Sequence, residues 1–189
     1  MNKMIKKVLV GVMAATMMLG SVCTAYAGTG SATTAPAAEK NTDVYAEKTS
    51  TGITPTVNTK EDGTAVVTEV KTTKKTTVKI SKTVTVEGVK YTVTKIAEGT
   101  FANCAKAKTV SLPSTITTIG KQAFTGASST LKTIKINSTS KVTVAKTAFK
   151  GVSTKNMTIT VTKKMSKADY KALKKALKAA GFKGTIKRA

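Results

Sequence analysis

The sequence predicts a β-rich solenoid of about three turns, with a β cap at its N-terminal side and a capping helix at its C-terminal side. The first observation is a sequence motif that occurs three times, in which Ile96, Ile119 and Val144 correspond at spacings of 23 and 25 residues. The second is a short segment after each copy of the motif, in which a polar residue separates two apolar ones, as in a strand with one buried face. Repeats of this length are typical of stacked solenoid turns.

Three predicted repeats occupy residues 94–165. Their strands carry the apolar pairs Val110/Leu112, Ile134/Ile136 and Ile159/Val161. Before each strand lies one of three corresponding phenylalanines, Phe101, Phe124 and Phe149, and the runs GKQAF and AKTAF around the last two favour a turn or two of helix. Two residues later comes a residue type that tolerates positive φ, which predicts a left-handed end to each helical turn. These residues are Asn103, Gly126 and Gly151.

The second repeat, Ile116 to Ile136, has the pattern I-x-x-I-G-x-x-A-F-x-G followed by L-K-x-I-x-I. This pattern resembles the BspA-like leucine-rich repeat of bacterial surface proteins. The resemblance extends from about Thr64 to the C-terminus and implies a short leucine-rich repeat stack. The outer repeats depart from the pattern, as expected for terminal turns with fewer neighbours. The departures are at Thr100, Ala107, Lys141, Asn156 and Met157.

Residues 1–27 have the features of a secretory signal peptide: a lysine-rich start, an apolar run of about fifteen residues and an A-x-A exit at Ala27. A membrane anchor is an alternative, but the run is shorter than the ~20 residues of a spanning helix. Lipoprotein cleavage before Cys23 is a second alternative, which Gly20 and Val22 fit poorly. We therefore expect a secreted protein that is either released or retained at the bacterial cell surface, with membrane contact only through an uncleaved signal peptide.

Residues 28–61 are rich in Thr, Ala, Ser and Pro without apolar periodicity, and they predict a flexible linker. The composition changes at 62–93, where Val, Thr and Ile dominate and short polar links separate four strand-like runs. Glu87-Gly88 is placed as a tight hairpin turn between the last two runs. This segment is the predicted β cap, which would cover the open edge of the first repeat.

Residues 166–189 predict a capping helix followed by a short strand. Ser166 with Asp169 resembles a capping box, and Gly181 supplies a stop. The apolar residues Tyr170, Leu173, Leu177 and Ala180 share one face. Such a helix either closes the end of a solenoid or, as a basic amphipathic helix, lies on an anionic membrane. Its narrow, alanine-rich apolar stripe favours the closing role.

The chain carries a formal charge of +23. Loss of three lysines with the signal peptide leaves 29 basic against 9 acidic residues, or +20, and residues 99–189 alone contain 19 basic residues and one acid. Such a field attracts polyanions in a salt-dependent manner. An anionic wall polymer is thus one expected partner, although lysines could also serve only to keep a threonine-rich repeat soluble.

Several function classes are disfavoured. The chain has no His, and Cys104, the one cysteine left after cleavage, is expected in the core, so we predict no catalytic site, no cofactor and no metal. Nucleic acid is a poor partner because Arg188 is the only arginine, Trp is absent and most Phe belong to the core.

A surface remains as the candidate site. Residues that alternate with the buried ones point outward and stack across neighbouring strands. The candidate contact residues are Thr77, Lys79, Thr109, Ser111, Thr133, Lys135, Thr158 and Thr160. By analogy with BspA-like proteins, which are associated with adhesion and co-aggregation, the expected ligand is a host or bacterial surface protein or glycan. The alternatives are an ordinary solvated face, and a structural or wall-associated protein retained by charge on anionic polymers.

Overall fold

The computed structural model describes residues 44–46, 53–71, 76–127 and 130–189, all within the compact unit Thr34–Ala189. The predicted signal peptide and most of the predicted linker lie outside these residues. The strands, in chain order, are β1 (Val44–Tyr45), β2 (Pro55–Thr59), β3 (Thr64–Val70), β4 (Thr77–Lys79), β5 (Thr83–Val86), β6 (Val89–Ile96), β7 (Thr109–Leu112), β8 (Thr118–Ile119), β9 (Thr133–Ile136), β10 (Thr143–Val144), β11 (Thr158–Val161) and β12 (Thr185–Arg188). One helix, α1, spans Lys167–Ala179.

The predicted repeat strands form a parallel sheet, here called the rung sheet. Its order among the described strands is β12-β11-β9-β7-β4. The register aligns Val110 with Ile134 and Ile134 with Ile159, and all three side chains are fully buried. The predicted alternation of buried and outward residues is therefore confirmed. The sheet extends beyond the three predicted repeats by one strand at each end, β4 and β12.

A second sheet completes each turn of the solenoid. Its order is β1-β2-β3-β6-β8-β10, and β5 also pairs with β6. Ile96 is aligned with Ile119, and Ile119 with Val144, through parallel pairing of β6, β8 and β10. The buried residues of both sheets form one hydrophobic core. These two sheets confirm the predicted fold class, a short β-rich leucine-rich repeat stack.

The phenylalanines form a continuous column through the core. The ring centroids of Phe101 and Phe124 are 5.3 Å apart with 10° between the planes, and those of Phe124 and Phe149 are 5.1 Å apart at 6°. Phe182 extends the column from the C-terminal side, 5.2 Å from Phe149 at a tilt of 56°. The stacking confirms that the three repeats are equivalent in space, although their spacings differ by two residues.

The chain around these rings forms turns and not the short helices that the sequence favours. The N–H of Phe101 donates to the carbonyl of Ala123 in the next rung at 3.0 Å, and the N–H of Gln122 donates to the carbonyl of Thr147 at 3.0 Å. Because these N–H groups bond between rungs, they cannot close intrahelical bonds.

The prediction of left-handed residues after each phenylalanine is confirmed at two of three positions. Gly126 has φ +87° and Gly151 has φ +77°. A Cβ on Gly126 would lie 2.2 Å from the carbonyl oxygen of Ala102, so this position also demands close approach of two backbones. The prediction is wrong for Asn103, which does not have positive φ. Its side-chain amide instead donates to Glu69 Oε1 at 2.6 Å and ties the first rung to β3.

A hairpin of β5 and β6 forms part of the N-terminal cap. Val86 pairs with Val89, and the two residues between them, Glu87 at φ +51° and Gly88 at φ +79°, both have positive φ. This is the backbone of a type I′ turn, whose twist suits a two-residue hairpin. The predicted tight turn is confirmed.

The cap begins earlier in the chain than the sequence predicts. Strand β2 pairs antiparallel with β3, and Val57 and its partner Val67 are both fully buried. Ile53, just before the strand, is also buried. The prediction of a flexible linker over 28–61 is therefore wrong for Pro55–Thr59. The strand reads PTVNT and buries three consecutive residues, so it has neither the alternation nor the composition by which strands are recognised.

The C-terminal cap has the predicted form. Ser166 is the N-cap of α1, and its hydroxyl oxygen accepts the N–H of Asp169 at 3.0 Å. Leu173 and Leu177 are buried against the solenoid, and Gly181 follows the helix at φ +91°. The chain then adds β12 in parallel to β11.

Candidate functional site

The outward side chains of the rung sheet form two straight columns, here called the outer columns. Pairing of β4, β7, β9 and β11 aligns every predicted contact residue with its counterparts. The first column contains Thr77, Thr109, Thr133 and Thr158. The second contains Lys79, Ser111, Lys135 and Thr160. The eight side chains thus lie on one face, because parallel strands in register repeat the same orientation at each rung.

Strand β12 adds two residues that the sequence analysis missed. Thr185 is aligned with Thr158 in the first column, and Lys187 is aligned with Thr160 in the second. The signal was present, since residues 185–187 repeat the tripeptide T-I-K of residues 133–135. With strands about 4.8 Å apart, five aligned residues span roughly 19 Å.

The hydroxyls of the first column are available to a ligand. In the described part of the chain, the side-chain oxygens of Thr109, Thr133 and Thr158 make no hydrogen bond to protein. Ser111 differs, because its hydroxyl accepts the side-chain amide of Asn137 at 3.1 Å. A threonine hydroxyl can both donate and accept, so the column offers a row of hydrogen-bonding groups in fixed register.

The second column alternates in charge. Its order across the sheet is Lys79, Ser111, Lys135, Thr160, Lys187, so a lysine stands on every second strand, about 10 Å apart. All three lysines are exposed. Because neither column contains an acid, the face combines uncharged hydroxyls with regularly spaced positive charge.

Other kinds of site find little support among the described residues. Cys104 is fully buried, as expected, and its thiol donates to the carbonyl oxygen of Val70 at 3.2 Å. Within the described ranges, no group of three His, Cys, Asp or Glu side chains could hold a metal ion. None of the helices formed by these residues has the length and apolarity that crossing a membrane requires.

The two-sheet solenoid and its parallel rungs define a protein of the leucine-rich repeat class. Residues 73–185 match the model of the BspA type leucine-rich repeat region, with six copies of the repeat, and the chain belongs to this family. Repeats of this type are protein-binding modules and are typical of bacterial surface proteins, and the family is not generally enzymatic.

One solved structure is similar, that of a leucine-rich repeat protein from Bacteroides capillosus. It is 26% identical, with 60% of this chain and 81% of that chain covered and a TM-score of 0.45. No curated protein matches the chain.

Proposed function

We propose that this chain is an exported, non-catalytic binding module that contacts a protein or glycan at the bacterial surface through the outer columns. The observation that carries the proposal is the unbroken register of five parallel strands, which aligns hydroxyls and lysines along one face. Family membership supports protein binding, and the signal-peptide pattern of residues 1–27 supports export.

The columns also suggest how the ligand lies. Both run perpendicular to the strands, so a partner that uses several rungs at once extends along the solenoid axis. Each additional rung then adds a further threonine and every second rung a lysine, so affinity grows with the length of the ligand that the face can hold. Threonine hydroxyls suit the amides and hydroxyls of peptides and sugars, and the lysines favour acidic groups among them.

A binding assay with matched variants tests the proposal. Lys135→Glu with Thr160→Glu changes the face, while Lys106→Glu with Lys121→Gln changes exposed lysines elsewhere and lowers the net charge by the same amount. Purified mature protein is added to immobilised host matrix proteins, whole bacterial cells and purified wall polymer across a salt series. Binding to at least one protein or glycan target that is lost only with the face variant supports the proposal, and retention of every interaction by that variant contradicts it.

A second function is favoured by the charge of +18 on residues 99–189, namely retention on anionic polymers without a defined face. In that case both variants weaken binding to a similar extent, and moderate salt abolishes it.

A further inference from the structure

The outward face of α1 is a second, separate surface with an unusual charge. Lys167, Lys171, Lys174 and Lys178 stand at offsets of four, seven and eleven residues, which places them on one side of the helix. All four side chains are exposed. They form a row about 16 Å long at 1.5 Å per residue, here called the lysine row.

No acid offsets the lysine row. Asp169 is the one acidic residue of the helix, and its carboxylate accepts the hydroxyl of Ser166 at 2.8 Å at the N-cap. In the part of the chain that the structure describes, no carboxylate is within ion-pairing distance of these four lysines. Like charges three and four residues apart repel one another, so the row is costly for the helix unless an anion lies against it.

The opposite face of α1 is already occupied. Leu173, Leu177 and Ala180 are buried, and they hold the helix against the solenoid. An amphipathic helix that binds a bilayer inserts its apolar face between lipids. Here that face is used for folding, so only the charged face remains, and it suits a polymer that binds from solution better than a membrane.

The residue types narrow the chemistry further. Lysine is a compact point charge that binds phosphate without a fixed geometry, whereas the planar fork of an arginine holds carboxylate or phosphate bidentately. The one arginine, Arg188, is engaged by the carbonyl oxygens of Lys163 and Met165 and lies 5.4 Å from the ring centroid of Tyr170. No exposed aromatic ring on α1 is left on which a nucleic-acid base could stack.

We propose that the lysine row is a docking surface for a linear phosphodiester polymer without bases, such as a polyol-phosphate chain of a bacterial wall. The row runs along such a chain and neutralises successive phosphates, with release of counterions as the main driving force. This surface lies on α1 and not on the rung sheet, so the outer columns stay free. Anchoring through the row and recognition through the columns are therefore separable.

Two quadruple variants of equal net charge test the proposal. In the row variant, Lys167, Lys171, Lys174 and Lys178 are each replaced by Gln, a residue of similar helix propensity. In the control variant, the exposed lysines Lys106, Lys121, Lys141 and Lys150 are replaced by Gln. Circular dichroism and denaturation check that both fold. The probe is poly(glycerol phosphate) across a salt series, with single-stranded DNA and anionic phospholipid vesicles as comparison probes.

The row variant is expected to bind poly(glycerol phosphate) about tenfold or more weakly. The slope of the logarithm of its binding constant against the logarithm of salt concentration is expected to become shallower by roughly 0.7 per lysine removed, the value for single-stranded nucleic acids. The control variant is expected to change affinity by about twofold or less. Equal weakening of both variants overturns the proposal, as does tighter row-dependent binding of DNA or vesicles than of the polymer. Binding through the outer columns is unaffected in the row variant, so failure here is distinguishable from failure of the proposed function.

Discussion

The rings of Phe124 and Phe149 lie almost parallel, 5.1 Å between centroids, although 25 residues separate them instead of the 23 between Phe101 and Phe124. The two additional residues therefore leave the spacing of the column almost unchanged. Stacked aromatic pairs of this kind contribute beyond their buried area. The column links the three repeats to the C-terminal cap through Phe182.

Phe124→Ala is expected to lower the free energy of unfolding by about 3–5 kcal/mol, because it removes a fully buried ring with a neighbour on each side. Urea denaturation followed by circular dichroism measures the effect. Thr143→Ala on the exposed side of β10 is the control, with a change within about 0.5 kcal/mol. A loss below about 1 kcal/mol for the Phe124 variant would mean that the rings do not pack as described.

Gly126→Ala and Gly151→Ala separate backbone strain from steric clash. Both positions have positive φ, so each alanine costs about 1–2 kcal/mol in unfolding free energy. Only Gly126 also meets a neighbouring backbone, the carbonyl of Ala102, whereas the nearest atom to a Cβ on Gly151 is 4.0 Å away. We expect Gly126→Ala to lower the free energy of unfolding by about 1–3 kcal/mol more than Gly151→Ala does. Equal losses in denaturation experiments would contradict the close approach of the rungs.

Ser166→Ala removes the hydroxyl that accepts the N–H of Asp169, and it is expected to destabilise the protein by about 1 kcal/mol. Hydrogen exchange of the first-turn amides of α1 should accelerate, since one of them loses its acceptor. Ser166→Asp keeps an acceptor at this position and is the control. Unchanged exchange in the alanine variant would argue against the cap.

The pKa of the Asp62 carboxyl is held below its ordinary value, chiefly by the hydroxyl of Thr64 at 2.6 Å and then by the N–H of Thr64 at 2.9 Å. Because the folded-state pKa is the lower one, this interaction stabilises the fold above the unfolded-state pKa and is lost as pH falls through the folded-state value. Thr64→Val removes the hydroxyl alone and should raise the pKa of Asp62 towards its ordinary value in a carboxyl NMR titration. An unchanged titration would show that the hydroxyl bond is absent in solution.

The repeats were predictable because a residue in a solenoid contacts its own counterparts in the next rung. The sequence correspondence of Ile96, Ile119 and Val144 is therefore also a spatial one. The same logic places the outer columns, whose register follows from the alternation of buried and outward residues. The choice of ligand depends on the side chains that one face carries and not on the fold, so the same register can serve different partners.

Features that depend on distant partners were not predictable in the same way. Strand β2 forms because Val57 pairs with Val67 on β3, and the sequence of β2 has no local periodicity that predicts a strand. Asn103 resembles the left-handed glycines in position, but a hydrogen bond to Glu69 accounts for its side chain instead. Thr185 and Lys187 carry the repeat tripeptide, but the short strand predicted after the helix gives no local sign that it pairs with the repeat strands.

The most direct test of the account is disulfide cross-linking across the outer columns, in a background of Cys23→Ser and Cys104→Ala. Thr133 and Thr158 are aligned on neighbouring strands, so Thr133→Cys with Thr158→Cys has Cα atoms about 4.8 Å apart, within the range of a disulfide. Thr133→Cys with Thr160→Cys is diagonal, at roughly 8 Å, and is too far apart. Mild oxidation is expected to cross-link the first pair and not the second. Efficient cross-linking of the diagonal pair, without the aligned one, would contradict the register on which both the solenoid and its proposed binding face depend.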